Sequence, residues 1–522
     1  FITIGNFQAF ADLKHRVYLA VSSLFGFFKD RENRQTLCRI MHVFVAQGAL
    51  AQEIADACSN LNSYVERRMD QPDYDRRLAA FNAVSTRESA LTVDEWLPLL
   101  YNMIYYIRQD EEFGVLASSS ADGLCKFIDA TRSAWEDSSK DLFVEQLSKV
   151  VVPAIQSGMR ESSETTRREN LRVLSYLASH LSVWHPVADL KSLAPSSDEG
   201  AEDTFFFNIL SPAHSKQLQA LHILVRENTA AELSSKNVSQ IFIPLLEHFI
   251  FGREGGADDQ GLGAQATSAI ASLSLALEWP QFRVLLRRFI SYLESKPELQ
   301  KQIIRLLERV TDSLATAADQ ASNGSAEVDT TTSSESAAPR KCRLARTLPE
   351  TRKLGDELIN NLLPPMLDRL HEKDESTVSA RVPVGIIVVK LLHLLPDEQA
   401  NQKLPGVLTD ICHILRSKAW EAREMARETL AKITAILGPS SFGFVVKELR
   451  GALARGYQLH VLSYTIHSLL LSVLPTCKQG DLDYCLGSLM AVIMDDIFGA
   501  TGQEKDADEY TSQMKEVKSS KS

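Results

Sequence analysis

EAREMARETLAKITAIL, residues 421–437, decides the fold. Ala422, Met425, Ala426, Thr429, Ile433 and Leu437 recur at steps of three and four, the spacing that lines up side chains on one stripe of an α-helix. Gly438 and Pro439 end it, because glycine tolerates the turn past a helix and proline cannot continue one. FGFVVKELRGAL follows, with Phe442, Val445, Val446, Leu449 and Leu453 at helical spacing. Next come RGYQLHVLSYTIHSLL (455–470), closed by Leu474 and Pro475, and LDYCLGSLMAVIMDDIF (482–498), with Leu482, Cys485, Leu486, Leu489, Ile493 and Ile497 as its stripe.

The two stops lie about 37 residues apart, near the ~40-residue period of HEAT- and armadillo-type helical hairpins. Each hairpin is amphipathic and cannot bury its apolar face alone; stacking against neighbours buries it. The fold expected is all-α, an α-solenoid of HEAT/armadillo-like hairpin repeats. Upstream segments agree with this. DEWLPLLYNMIYYIR (94–108) is a dense apolar helix, and Thr92 with Glu95 gives it a capping-box start. Helical runs recur near 112–132, 138–158, 164–182, 214–227, 236–251, 263–277, 281–294 and 298–316. No alternating strand of useful length is found.

Two short acidic loops, 192–204 and 252–262, interrupt the pattern. A longer Ser/Thr-rich and acidic stretch, 311–347, is expected to be a disordered insert ending in the basic cluster Arg340, Lys341, Arg343 and Arg346. The organisation expected is a solenoid over 1–310, the insert, the solenoid continued over 348–500, and the start of a further helix or linker over 501–522.

At 522 residues the chain is too long for one compact core. Its net charge of −11 argues against a protein that coats nucleic acid over its whole surface, though not against a local basic patch. Seven scattered cysteines, never in a CxxC, fit a reducing compartment. The chain opens on FITIGNFQAF and ends on KEVKSSKS in mid-pattern, so it reads as a piece of a longer polypeptide.

The 455–470 segment holds two histidines and two tyrosines, in a window uncharged from Gly456 to Thr476. His460 and His467 are two turns apart, ~10 Å along a helix, too far to share one metal ion. The window is long enough to span a bilayer. Gln458, Ser463, Thr465, Ser468, Ser472 and both histidines are too polar for lipid, and no membrane is expected. GREGGADDQGLG lacks the lysine of a phosphate loop and carries Asp258 and Asp259, which repel phosphate. No nucleophile motif is present. No enzyme activity, cofactor, metal or small-molecule substrate is therefore expected.

Tyr457, His460, Tyr464 and His467 form a second stripe opposite the apolar one. They are expected to hydrogen-bond to a neighbouring helix; the sharper alternative is a face that docks a peptide or stacks RNA. Arg67-Arg68 with Arg76-Arg77, Arg167-Arg168 with Arg172, and Arg283 with Arg287-Arg288 read as solvated helix faces. Arg340, Lys341, Arg343 and Arg346 adjoin the insert, and flexible basic segments often contact phosphates. With Arg455 they are the candidate RNA- or partner-binding residues.

RGYQLHVLSYTIHSLL, EAREMARETLAKITAILG, FGFVVKELRGAL and DDIFG (495–499), with FFFNIL (205–210) and the opening FITIGNFQAFADLKHRVY, resemble the giant HEAT-repeat family of the small-subunit processome, also called "down-regulated in metastasis". After FFFNIL this sequence departs from the family's basic run, with only Lys216 in SPAHSKQLQALHIL. The resemblance implies a non-enzymatic nucleolar scaffold. Its implied partners are pre-ribosomal RNA, small nucleolar RNA–protein components and other small-subunit assembly factors. The alternative is a HEAT-repeat adaptor of another class, such as a transport receptor or a phosphatase scaffold, binding protein cargo.

Overall fold

The computed structural model describes residues 8–48, 50–66, 68–87, 90–109, 114–194, 204–252, 261–323, 341–374, 377–454 and 458–499. These are helical almost throughout, and the expected all-α helical-repeat architecture is what they form. Contacts divide the chain into two compact units, Phe1–Ala276 and Leu277–Ser522.

In the second unit the helices alternate between two layers. Val384–Leu392, Trp420–Leu437 and Gln458–Val473 lie side by side in one; Asp397–Ile414, Phe442–Ala452 and Leu486–Phe498 lie in the other. Successive helices also pack across the layers, so each hairpin buries its stripe against the next. In the first unit Val115–Ser133 packs against Val93–Gln109 and Glu164–His180, and Leu262–Ser274 against His214–Ala231 and Ile243–Phe251. The capping box forms as expected. The Thr92 amide donates to Glu95 Oε2 at 2.8 Å, and the Glu95 amide donates to Thr92 Oγ1 at 3.3 Å.

Two regularities mark the repeats, and neither is part of the apolar pattern. The first is a buried arginine at the fourth helical position. Arg34, Arg77, Arg167, Arg381 and Arg423 each stand there, and each is at most 9% exposed. Each reaches back to carbonyl oxygens of the turn or helix end before its own helix. Arg34 Nη1 donates to Phe25 and Phe28, Arg77 Nε to Ser63, and Arg167 Nη1 to Glu161 and Ser162. Arg381 Nη1 donates to Leu370, and Arg423 Nη1 to Ser417 and Lys418. Carbonyls at a helix end have no intrahelical partner and carry partial negative charge, so a guanidinium both satisfies and neutralises them. Arg34 and Arg77 are 43 positions apart and Arg381 and Arg423 are 42, a few residues more than the interval between the stops at 438 and 475.

The second recurs in three helices and is a proline seated just after a widened turn, whereas Pro98 and Pro405 lie inside helices without one. Pro153, Pro244 and Pro364 each follow one π-helical turn, at Leu147–Val151, Val238–Phe242 and Leu358–Leu362. Proline lacks an N–H and its ring collides with the carbonyl four residues back; a wider turn moves that carbonyl aside.

Three expectations are corrected. The basic groups at 76–77 and 167–172 are not plain solvated faces. Arg77 and Arg167 are buried with their charge directed at carbonyls, and Arg172 pairs with Asp122 and Glu169. The buried stripe of Trp420–Leu437 is Arg423, Ala426, Arg427, Thr429, Leu430, Ile433 and Thr434, with Met425 and Leu437 only half-buried. A short antiparallel pair, Tyr64–Val65 with Arg68–Pro72, lies between helices and leaves the all-α class intact. The stretch expected as an insert from 311 begins as helix: Gln300–Asn323 is continuous, with Thr311, Leu314 and Ala317 buried on its apolar face. Residues 324–340, the rest of that stretch up to Arg340, lie outside the described residues.

Candidate nucleic-acid interface

The basic cluster after the insert sits on folded structure. Lys341 Nζ donates to the Ala321 carbonyl at 3.2 Å, and the Cys342 amide donates to Gln320 Oε1 at 3.0 Å. Arg343–Thr347 is then a short helix whose Leu344 and Ala345 are buried, with Arg343 half-buried and Arg346 exposed. The Trp279 amide donates to Thr347 Oγ1 at 3.0 Å. A flexible arm is therefore not what Lys341, Arg343 and Arg346 form, because two apolar residues and three tethers hold them. Arg340, Arg455 and Tyr457 lie outside the described residues.

The Tyr/His stripe does not stand as one row. His460 is buried, Tyr464 half-buried and His467 exposed, so cover is confined to the N-terminal end of the stripe. Tyr464 meets the neighbouring helix through its ring: the Arg427 guanidinium lies 4.5 Å from its centroid. Arg427 also pairs with Glu424 and donates to Thr465 Oγ1. The opposite face of this helix, with Val461, Leu462, Ile466, Leu469 and Val473, is buried in the core. Gln458–Thr476 is long and apolar enough to cross a bilayer by length and composition, but that face carries the fold's own contacts.

Several basic residues of the second unit are matched to carboxylates. Arg283 and Arg287 share Glu357, and Lys390 lies between Glu308 and Asp312. The helix Phe442–Ala452 differs. Gly443, Lys447, Arg450 and Gly451 follow one another at helical spacing along its polar face, and with Tyr484, Cys485 and Ser488 they line an open groove of about 460 Å³. Lys447 and Arg450 are exposed and make no ion pair or side-chain hydrogen bond among the described residues, and no carboxylate lines the groove.

The tyrosine of the groove is tied to the backbone through its hydroxyl. The Tyr484 hydroxyl accepts from the Gly443 amide at 2.8 Å and shares its proton between the carbonyls of Pro439 (2.9 Å) and Ser440 (2.8 Å). The ring lies so close to Gly443 that a Cβ there would come within 2.7 Å of it. The side chain nevertheless stays 58% exposed. Burial pushes the Cys485 thiol up, so it adds no thiolate to the groove at neutral pH. Reading the segment for its apolar stripe alone passes over this site. Its signal is the Gly-Lys-Arg-Gly spacing of the opposite face, and Tyr484 comes from a different helical hairpin.

Stacked hairpins with clamped turns define the class: an all-α helical-repeat protein. The two ends of the chain match two models of one family. Residues 2–163 match "U3 small nucleolar RNA-associated protein 20, N-terminal", and residues 371–522 match the "U3 small nucleolar RNA-associated protein 20 domain". The U3 small nucleolar RNA-associated protein 20 of Schizosaccharomyces pombe is 36% identical over 464 residues, 88% of this chain and 18% of that protein. The protein of the same name from Saccharomyces cerevisiae is 31% identical over 510 residues, 97% of this chain and 20% of that protein. The chain belongs to this family, and it spans about a fifth of the length of these relatives.

Proposed function

We propose that this chain is part of a non-enzymatic scaffold of the nucleolar small-subunit processome. It holds pre-ribosomal RNA and assembly factors at fixed separations while small-subunit ribosomal RNA is processed. The observation that carries this reading is the match of both ends to one family whose name records association with a small nucleolar RNA. Hairpins whose turns are locked by buried arginines suit the role, since a scaffold must keep its binding surfaces in register. The nucleolus is the corresponding location, with U3-containing particles and other assembly factors as partners.

The test is sedimentation of a tagged chain from nuclear extract, followed by probing for RNA. The reading expects the chain in large particles together with small-subunit pre-ribosomal RNA and U3 RNA. Recovery with a transport GTPase or a phosphatase subunit instead, without precursor RNA, would replace it with the adaptor class.

A further inference from the structure

We propose that the groove between Phe442–Ala452 and Tyr484–Ser488 is a single-stranded RNA contact, with Lys447 and Arg450 on the phosphates and Tyr484 under a base. The proposal rests on the RNA-scaffold reading above and gives it a place. Three features of the groove converge on this ligand.

The first is uncompensated charge. Arg283, Arg287 and Lys390 of the same unit face carboxylates, whereas Lys447 and Arg450 line a groove with none. They stand three positions apart, about 4.5 Å along the helix axis, so both can reach one phosphate or two adjacent ones. The second is the small residues at either end. A Cβ on Gly451 would meet nothing within 4 Å, and Gly443 is where the tyrosine ring crosses the helix. The helix surface is thus bare at the Gly451 end, where a sugar–phosphate backbone would pass, and covered by the aromatic ring at the Gly443 end. The third is the tyrosine. An exposed ring whose hydroxyl is fixed by three backbone groups loses little freedom when a base stacks on it. Cations along the strand with an aromatic platform for the base are the general means of holding single-stranded nucleic acid. An acidic peptide would use the two cations and leave the ring idle.

The experiment uses the full chain and a fluorescein-labelled single-stranded oligouridine of 12 nucleotides, followed by fluorescence anisotropy at several salt concentrations. Lys447→Ala with Arg450→Ala should weaken binding about tenfold and flatten the slope of log Kd against log salt, by about 0.7 for each phosphate that is no longer neutralised. Tyr484→Ala should weaken binding about fivefold or more, and Tyr484→Phe, which keeps the ring and loses its tethers, less. Circular dichroism melting of each variant separates lost binding from lost fold. Arg287→Ala, already matched to Glu357, should change nothing.

Unchanged affinity and salt slope in the double variant, with RNA still bound, overturns the groove and leaves the scaffold reading standing. So does a native chain that ignores bare RNA yet still sediments with precursor particles. An acidic peptide of equal charge that displaces the RNA at equal concentration, and binds regardless of Tyr484, overturns the nucleic-acid assignment.

Discussion

Arg423 reaches back six residues to donate to the Ser417 carbonyl at 3.0 Å, closing the turn that enters its own helix. The same nitrogen serves Lys418, and the side chain is only 4% exposed. Arg423→Ala would remove a buried guanidinium and its two bonds to the carbonyls of the entering turn and should cost about 1–2 kcal/mol of stability. Arg423→Lys should recover only part, because an ammonium resists burial more than a guanidinium does. Urea unfolding followed by tryptophan fluorescence reads this. A loss under about 0.5 kcal/mol would mean the clamp adds nothing to the fold.

Two helical glycines should respond in opposite directions to the same change. A Cβ at Gly158 would lie 2.3 Å from Asn170 Nδ2, in a buried amide that already donates to the Thr166 carbonyl. Gly158→Ala should therefore destabilise by about 1–3 kcal/mol through overpacking. Gly406 lies inside an exposed helix face with nothing within 4 Å of a new Cβ. There Ala should stabilise by about 0.5–1 kcal/mol, by removing glycine's backbone entropy. Thermal melting of the two variants beside the parent checks both signs.

Asp30 caps Arg31–Ala46, accepting the Asn33 amide at 2.9 Å and the Asn33 side chain at 2.8 Å. Those hydrogen bonds hold its carboxyl below the usual aspartate value. A lowered folded value means that the ionised cap stabilises above the unfolded value and loses that contribution as pH falls through the folded one. The parent should thus exceed Asp30→Asn in stability at pH 7, and the gap should narrow towards pH 3. A gap constant with pH would show that the charge plays no part. Chemical denaturation of both proteins across that range is the measurement.

Cysteine reactivity should follow burial. Burial, with a smaller push from Glu448, raises the Cys412 thiol to about 12, and burial raises Cys125 to about 12. Cys477 is only half-buried. With N-ethylmaleimide at pH 7.5, mass spectrometry should find Cys477 modified long before Cys412 in the folded chain. Equal rates would contradict the packing around Asp397–Ile414.

The hairpins are legible in the sequence because the apolar periods of 421–437 and 442–453 mark helices that must stack, although the covered face of 421–437 is turned towards Arg423, Arg427 and Leu430. The arginines are not. A basic residue in a helix reads as solvated unless its partners are known, and the partners of Arg167 and Arg423 are main-chain carbonyls that composition cannot display. Their 42- and 43-residue spacing is visible all the same. The helix through Asn323 escapes a reading by composition because Thr311 and Ala317 pack as core residues although neither is strongly apolar. Of the groove, Lys447 and Arg450 can be placed on one helix face from sequence. The tethered ring of Tyr484 depends on how two hairpins stack, and no local spacing encodes that.

A scaffold of the kind proposed would touch precursor RNA directly. Ultraviolet crosslinking of the tagged chain in living cells, with sequencing of the attached RNA, tests it most directly. Recovered reads should concentrate on small-subunit pre-ribosomal RNA and U3 RNA, and should fall when Lys447 and Arg450 are both Ala. Reads no more abundant than from an untagged control would contradict it.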